Sequence, residues 1–152
     1  MVNLDEYASA GYALELLAKS SYHKQHKLGD YFRTEILPAL WVNQARFYLT
    51  EEGIPTAMVT WAWLNKEVEK DVHETGRALS HDEWQCGDRV FINDLIAPYD
   101  NSREVIKDIK NNVFANHKAS SLRRNTDGSV RRVNQWIGMN VRHSENQNEN
   151  VA

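Results

Sequence analysis

Hydrophobic and polar positions alternate along this chain with two different periods, which predict where helices and strands lie. A spacing of three to four residues predicts a helix over residues 3–19, with Asn3 and Glu6 as a capping pair at its start. The same spacing predicts a helix over residues 28–44 that breaks near Pro38, because proline lacks a backbone N–H and crowds the preceding turn. Two helices are therefore expected before the first strand.

Alternation with a period of two predicts the strands. Residues 45–50 and 54–64 are rich in β-branched and aromatic side chains and are joined by a short turn that contains Gly53, which is typical of a hairpin. A third strand is predicted over residues 88–97, which end at a proline. A second hairpin is predicted around Asp127–Gly128, joining the run SSLRR to the run SVRRVNQWIG.

Two more helices are predicted between these strands. Residues 65–77 form a polar pattern that ends at Gly76, which indicates a mostly exposed helix. Another helix is predicted to start at Asn101 with Glu104 as its capping partner. Its inner face consists of Val105, Ile109 and Val113.

This order of elements predicts an α/β (α+β) fold, in which a mainly antiparallel mixed sheet is flanked by helices. No repeat or linker divides residues 1–143, so we expect them to form a single domain with a substantial core. The last nine residues, SENQNENVA, are polar, and residues 144–152 are predicted to be a disordered tail.

The third predicted strand carries a carboxylate in an unexpected position. Strict alternation groups Asp94 with the aliphatic residues Val90, Ile92 and Ile96, and leaves Phe91, Asn93 and Leu95 on the opposite face. An ionised carboxylate is seldom buried without a partner. His23, in the segment SSYHKQH, would form a proton-transfer pair with Asp94, whereas Arg89 or Arg123 would form a structural ion pair. The pattern favours neither partner.

The net charge of −3 conceals an asymmetry along the chain. Residues 1–102 carry a balance of −7, whereas residues 103–152 carry +4 and include the doublets Arg123–Arg124 and Arg131–Arg132. The basic segment is either a solvated face or a docking surface for an acidic partner. The overall acidity and the lack of a recognition-helix signature argue against nucleic-acid binding.

Several features favour a cytoplasmic protein. No apolar run approaches the roughly 18 residues that span a bilayer, and the N-terminus lacks the basic region of a secretory signal. Cys86 is the only cysteine, so no internal disulfide can form.

The common sequence signatures of catalytic sites are absent. The chain has no Walker loop, no dinucleotide-binding glycine pattern, no HExxH zinc motif and no GxSxG nucleophile motif. Its six histidines lack compact metal-ligand spacing, so no metal site is expected. His23 remains the candidate, because histidine is the commonest proton shuttle near neutral pH.

A set of motifs spread over the chain resembles the RTX toxin-activating lysine acyltransferases, also called hemolysin-activating acyltransferases. The motifs are Ser20-x-x-His23, ILPAL at 36–40 with Asn43–Gln44, PTAMVTWAWL at 55–64, Glu83–Trp84 with Gly87–Asp88–Arg89, and Asp94–Leu95–Ile96–Ala97–Pro98. The similarity covers residues 12–100 well and residues 101–140 loosely. The chain is most similar to the short members of the family that accompany large multifunctional RTX toxins.

The resemblance implies a fold similar to the N-acetyltransferase (GNAT) superfamily, with His23 and Asp94 as the catalytic pair. It implies no bound cofactor, a fatty acyl–acyl carrier protein thioester as donor, and internal lysines of an RTX protoxin as acceptors. Acyl carrier proteins are acidic, so Arg123 and Arg132, with Ser20 near the histidine, are the predicted contacts of substrate or carrier. Whether the chain forms a homodimer is left open.

The reaction that the resemblance implies needs a base, because a lysine amine attacks a thioester only when neutral and its usual pKa is about 10.4. His23 would accept the lysine proton while Asp94 orients the imidazole and stabilises its charged form. Direct transfer needs no acyl-enzyme, and a covalent route through an acylated His23 stays open. The alternative function is a non-catalytic toxin chaperone or adaptor, which would need neither His23 nor Asp94.

Overall fold

The computed structural model describes residues 5–151, apart from the side chain of Lys24. Its centre is a five-stranded sheet in which the strands lie side by side in chain order. The strands are β1 (Ala45–Leu49), β2 (Pro55–Leu64), β3 (Arg89–Ile96), β4 (Lys118–Arg124) and β5 (Val130–Ile137). Neighbouring strands are antiparallel except β3 and β4, which are parallel. The predicted mainly antiparallel mixed sheet is confirmed.

Helices lie on both faces of this sheet, as predicted. They are α1 (Glu6–Lys19), α2 (Leu28–Tyr31), α3 (Leu37–Trp41), α4 (Lys66–Thr75), α5 (Ser102–Asp108) and α6 (Met139–Glu149). One face of the sheet packs against α5 through Ile92, Val105 and Ile109. The opposite face packs against α1 and α4, with Leu16 and Val72 in two adjacent clusters. The sheet is therefore the middle of three layers.

The helix predicted over residues 28–44 is continuous but irregular. A π-helical turn, Phe32–Ile36, joins α2 to α3, and the backbone N–H of Leu37 donates to the carbonyl of Phe32. Pro38 follows immediately and has no N–H to continue the α-helical ladder. The predicted break near Pro38 is thus a widened turn rather than a separation into two helices.

Both predicted hairpins are confirmed. Their turns contain Gly53 and Gly128, whose φ angles of 82° and 88° lie in the region that only glycine adopts without strain. Because the two turns fix where each strand pair starts, they also fix which residues face each helix layer.

The helix starts agree less well with the sequence-based predictions. Asn3 lies outside the described residues, and α1 is capped by Asp5, whose carboxylate accepts from the Ala8 N–H at 2.7 Å. At the start of α5 the predicted cap is wrong, since Asn101 makes no side-chain capping bond. Its φ and ψ of −99° and 19° are not the extended values that a capping residue needs.

The segment predicted from the sequence to be a tail, residues 144–152, begins within a helix. Residues up to Glu149 belong to α6, which packs against the π-helical turn Ile109–Val113 that follows α5. A salt bridge of 2.6 Å joins Lys118 to Glu145, and Asn140 donates to Asn116 at 2.7 Å. These two contacts hold a polar segment that carries no buried residue of its own.

Candidate functional site

The strand β3 contains a β-bulge immediately before Asp94. Thr60 on β2 pairs with Asp94, but the next residue, Trp61, pairs with Ile92, so Asn93 is an extra residue without an opposite partner on β2. An inserted residue of this kind reverses the side-chain alternation on one side of it. Bulges are common next to active sites, where they re-aim a side chain.

The bulge answers the question that the sequence raised about Asp94. Val90 and Ile92 pack towards α5, whereas Ile96 packs towards α1. Thr60 and Asp94 are directly opposite each other and lie on the α1 face. The predicted grouping of Asp94 with Val90 and Ile92 is wrong, because strict alternation does not survive the inserted Asn93. The carboxylate does not lie within an aliphatic stripe.

His23 reaches Asp94 from the turn that follows α1. The helix ends at Lys19 and is followed by Ser20, whose backbone is extended. A short 3-10 turn, His23–Gln25, then brings the imidazole back over the sheet. His23 is 8% exposed, and its Nε2 lies 2.8 Å from Oδ1 of Asp94. Of the partners left open by the sequence, the structure brings His23 to Asp94. Arg89 instead donates to Glu69 at 3.0 Å.

Ser20 occupies the other ring nitrogen of His23. Its Oγ lies 2.6 Å from Nδ1, and the side chain is buried. An ionised carboxylate only accepts hydrogen bonds, so the neutral imidazole carries its proton on Nε2 and donates to Asp94. Nδ1 is then the acceptor, and the Ser20 hydroxyl donates to it. The order Ser20–His23–Asp94 is that of a serine–histidine–aspartate relay.

Tyr31 completes the surroundings of Asp94 and was missed by sequence reasoning. Its hydroxyl donates to Oδ2, the carboxylate oxygen that His23 does not use. Burial, followed by the charge of Asp94, raises the pKa of Tyr31 far above its usual value, so the phenol keeps its proton. No local sequence signal links residues that are so distant along the chain.

Glu35 is a second residue that sequence reasoning missed. Its Oε2 accepts from the side-chain amide of the bulge residue Asn93 at 2.8 Å. Burial raises the pKa of Glu35, and the charge of Asp94 adds to this effect, while the bond from Asn93 opposes it. The sequence offered only the predicted break near Pro38, which marks the irregular turn Phe32–Ile36 but does not single out Glu35 within it.

A cleft of about 860 Å³ opens beside these residues. It lies where β3 and β4 diverge, because the two parallel strands pair only over Val90–Ala119, Phe91–Ser120 and Ile92–Ser121. His23, Tyr31 and Asp94 are among the residues that line it, and so are Arg123, Arg124 and Arg131, which together are called its cationic wall below.

The predicted arginine contacts divide between the cleft and its surroundings. Arg123 lines the cleft, whereas Arg132 is exposed and lies opposite Arg123 in the β4–β5 pairing. Arg124, which was not singled out from the sequence, donates to the carbonyl of Gly76 through Nε and Nη2 at 3.3 and 3.2 Å. The cleft therefore brings the buried pair of His23 and Asp94 together with a cationic wall.

Two further observations concern residues 5–151 only. No helix in this range is long and apolar enough to cross a membrane. Nor does this range contain a cluster of three or more histidine, cysteine, aspartate or glutamate side chains able to hold a metal ion.

Comparison with known proteins identifies sequence relatives of this chain. The lysine-acyltransferase RtxC of Vibrio cholerae is 28% identical over 136 residues, which cover 85% of this chain and 88% of that protein. The protein-lysine myristoyltransferase RtxC of Kingella kingae is 28% identical over 138 residues, which cover 91% of this chain and 81% of that protein. An uncharacterised protein of Synechocystis is 34% identical over 94 residues, which cover 61% of this chain and 64% of that protein.

A family-level match also covers most of the chain. Residues 2–137 match the RTX toxin acyltransferase family, which confirms the resemblance and the acyltransferase class predicted from the motifs. The five-stranded mixed sheet is consistent with an acetyltransferase-like fold. The chain therefore belongs to the RTX toxin acyltransferase family.

Proposed function

We propose that this protein is a cytoplasmic enzyme that transfers a fatty acyl group from an acyl–acyl carrier protein to internal lysines of an RTX protoxin. The observation that carries the proposal is the buried line Ser20–His23–Asp94 beside a cleft with a cationic wall. The names of the Vibrio and Kingella relatives, a lysine-acyltransferase and a protein-lysine myristoyltransferase, support lysine as the acceptor. A chaperone or adaptor would have no need of a buried proton-transfer line.

The contacts of His23 favour a mechanism in which Ser20 relays a proton. Both ring nitrogens are engaged, so the lysine proton reaches Nδ1 through the hydroxyl that already donates to it. As the lysine amine attacks the thioester carbon, Ser20 passes its proton to Nδ1 and accepts one from the amine. The imidazolium that forms is paired with Asp94, which stabilises the charge.

The rest of the transfer is balanced by the same residues. The new carbon–nitrogen bond forms, the carbon–sulfur bond breaks, and the electron pair leaves on the thiolate of the carrier's prosthetic group. His23 then returns its proton through Ser20 to that thiolate. The products are an amide on the protoxin lysine and a free thiol on the carrier, and the enzyme regains its starting protonation state.

The same geometry allows Ser20 to act as a nucleophile that is itself acylated before the lysine attacks. The covalent acyl-histidine route is disfavoured, because Nδ1 accepts from Ser20 and Nε2 faces Asp94. The relay predicts that no acyl-enzyme accumulates when the protoxin is withheld. An acyl group trapped on Ser20 and found by mass spectrometry would favour the covalent route.

The cationic wall supports a carrier-borne donor. Arg123, Arg124 and Arg131 line the cleft, and we propose that they meet the phosphodiester of the carrier's prosthetic arm. The exposed Arg132 lies outside this group and would meet acidic side chains of the carrier itself. Such contacts would act mainly on association.

The test is acylation of purified protoxin, followed by mass spectrometry, with acyl–acyl carrier protein or acyl–coenzyme A as the donor. His23→Gln should abolish acylation while the protein stays folded, because glutamine fills part of the buried space of the imidazole. His143→Ala, at an exposed histidine on α6, is the matched control and should behave as wild type. Acylation by a folded His23→Gln variant would overturn the base assignment, and equal use of both donors would overturn the carrier dependence.

A further inference from the structure

We propose that Tyr31 is a positioning residue for acyl transfer, whose phenol orients Asp94 so that the carboxylate meets the imidazole of His23. The inference rests on the proposed function, because it assigns a role only in support of His23 and Asp94. It concerns a residue on α2, which is close to His23 along the chain but far from Asp94.

The two oxygens of Asp94 have one donor each. Oδ1 faces Nε2 of His23 at 2.8 Å, and Oδ2 accepts from the Tyr31 hydroxyl. The terminal torsion of an aspartate is broad and offers little orientation by itself. A donor fixed on Oδ2 therefore decides the direction in which Oδ1 points. Without it, the carboxylate could rotate or bind water from the cleft.

Tyr31 is itself held in place by ring contacts. It stacks on His26 with ring centroids 4.8 Å apart, and its edge contacts the His23 ring at 5.6 Å. Its phenol is therefore part of one packed group with the imidazole that it serves. A residue that orients a catalytic group needs a rotamer that is held by packing in this way.

Two backbone irregularities meet at this point. The bulge in β3 aims Asp94 at the helix layer, and the π-helical turn begins at the residue after Tyr31. A second bond joins the same two segments, since Asn93 donates to Glu35 at 2.8 Å. The segment from Tyr31 to Glu35 thus contacts two consecutive residues of β3. These contacts fix both the position and the orientation of the Asp94 carboxylate.

The chemistry of a phenol suits this position better than that of a cation. An arginine or lysine on Oδ2 would bring a permanent positive charge close to the imidazolium that forms during transfer. A phenol donates a hydrogen bond but carries no positive charge. The negative charge of Asp94 therefore remains available to stabilise the imidazolium. Burial keeps the pKa of Tyr31 well above its usual value, so the donor persists across the working range of pH.

The test compares Tyr31→Phe with Tyr48→Phe. Tyr48 also donates to a partly buried aspartate, Asp108, at 2.6 Å, but away from the cleft, which makes it a matched control. Tyr31→Phe should lower kcat about 10–100-fold with an unchanged KM for the donor, since one hydrogen bond to a charged group is lost. Tyr48→Phe should leave kcat unchanged. Equal kcat in Tyr31→Phe and wild type would overturn the proposal.

A double-variant comparison separates positioning from general stability. In the background of Asp94→Asn, adding Tyr31→Phe should change kcat less than threefold, because the group it orients has already lost its charge. Independent, multiplicative losses would overturn the positioning role. If Asp94→Asn alone keeps full activity, the proposed function fails at its base, which is a different outcome from an ineffective Tyr31→Phe.

The wild-type protein gives a check that does not depend on any variant folding. Proton NMR should show a Tyr31 hydroxyl proton and a His23 Nε2 proton, both protected from exchange with solvent. In Tyr31→Phe the His23 resonance should move, whereas Tyr48→Phe should leave it in place. A wild-type Tyr31 hydroxyl that exchanges freely would overturn the proposal even if the variants cannot be purified.

Discussion

Two aspartates in this protein have similar partners, and of the two Asp94 lines the cleft whereas Asp108 does not. Asp108, at the end of α5, accepts from Tyr48 at 2.6 Å and pairs with Arg46 at 2.9 Å. Asp94 accepts from Tyr31 and pairs with His23 at 2.8 Å. Each carboxylate thus meets one phenol and one nitrogen base. What differs is whether the base can give up its proton.

The surroundings of Asp108 stabilise a fixed charge. Burial alone would raise its pKa, but hydrogen bonds from Tyr48 and Asn112 and the charge of Arg46 outweigh that effect and lower it. Arginine does not lose its proton in a protein. Its side chain and that of Asp108 are 30% and 20% exposed, so the pair joins β1 to α5 at the surface. It is a structural contact.

The surroundings of Asp94 suit a partner whose charge changes as it gains and loses a proton. His23 and Asp94 have side chains only 7% and 9% exposed, which strengthens any interaction between them. An imidazole takes up and releases a proton near neutral pH, and an arginine does not. A carboxylate that accepts from a phenol is therefore structural beside Arg46 and suited to proton transfer beside His23.

The largest expected contrast is in activity. Asp94→Asn should lower kcat about 10³–10⁴-fold, because the introduced amide can donate to Nε2 and so force the proton onto Nδ1, where it blocks the relay from Ser20. Asp108→Asn should change kcat less than twofold. The measurement is protoxin acylation at saturating donor. Comparable losses in the two variants would remove the distinction between the sites.

A smaller difference between the two variants is expected in stability, and here Asp108→Asn should have the larger effect. Asp108→Asn should lower the free energy of unfolding by about 1–2 kcal/mol, because Arg46 loses its carboxylate at a partly screened site. Asp94→Asn should leave it unchanged or raise it, since a buried carboxylate is costly to desolvate. Urea titration measures both. A loss of about 3–5 kcal/mol in Asp94→Asn would indicate a structural ion pair instead.

The smallest contrast concerns the pH dependence of stability near the two sites. The pKa of Asp108 is lowered on folding, so its contribution is present above its unfolded pKa of about 3.9 and is lost as the pH falls through the folded pKa. The pKa of Glu35 is raised by burial, so stability falls as the pH rises from about 4.3 through the folded pKa.

Melting temperatures between pH 3 and pH 8 test this difference in sign. Glu35→Gln should remove the loss on the alkaline side and keep an acceptor for Asn93. Asp108→Asn should reduce the loss of stability at acid pH. An unchanged pH profile in Glu35→Gln would mean that Glu35 has the same proton affinity in the folded and unfolded states.

Much of the fold could be predicted from the sequence because its signals are local. The turns at Gly53 and Gly128 and the alternation along β2 each depend on neighbouring residues, and both hairpins follow from them. Pro38 likewise gave the place of the irregular helical turn. Asn101 shows where such signals fail, since its residue type suits a cap but its backbone conformation does not.

The site was predictable only in part, for a different reason. The sequence offered His23 and two arginines as partners of Asp94 and could not choose, because the choice depends on how the layers pack. Tyr31 and Glu35 had no signal of their own, since each contacts β3 across a long stretch of chain. The bulge could not be seen in the sequence, because residues 89–96 form a plausible strand with or without an extra residue. One extra residue reverses which side chains lie on each face of the sheet beyond it.

That bulge makes the site depend on residue count as well as residue identity. Adding one residue to β2 between Thr60 and Trp61 would give Asn93 a partner and restore an ordinary ladder. Counted from Ile92, strict alternation would then place Asp94 on the α5 side, away from His23, although every residue of the site is still present. A relative aligned with a one-residue insertion at this point of β2 would keep Ser20, His23 and the aspartate by name and still lack their arrangement. An inventory of matching side chains would overlook the loss, whereas a comparison of the number of residues in β2 and β3 would reveal it.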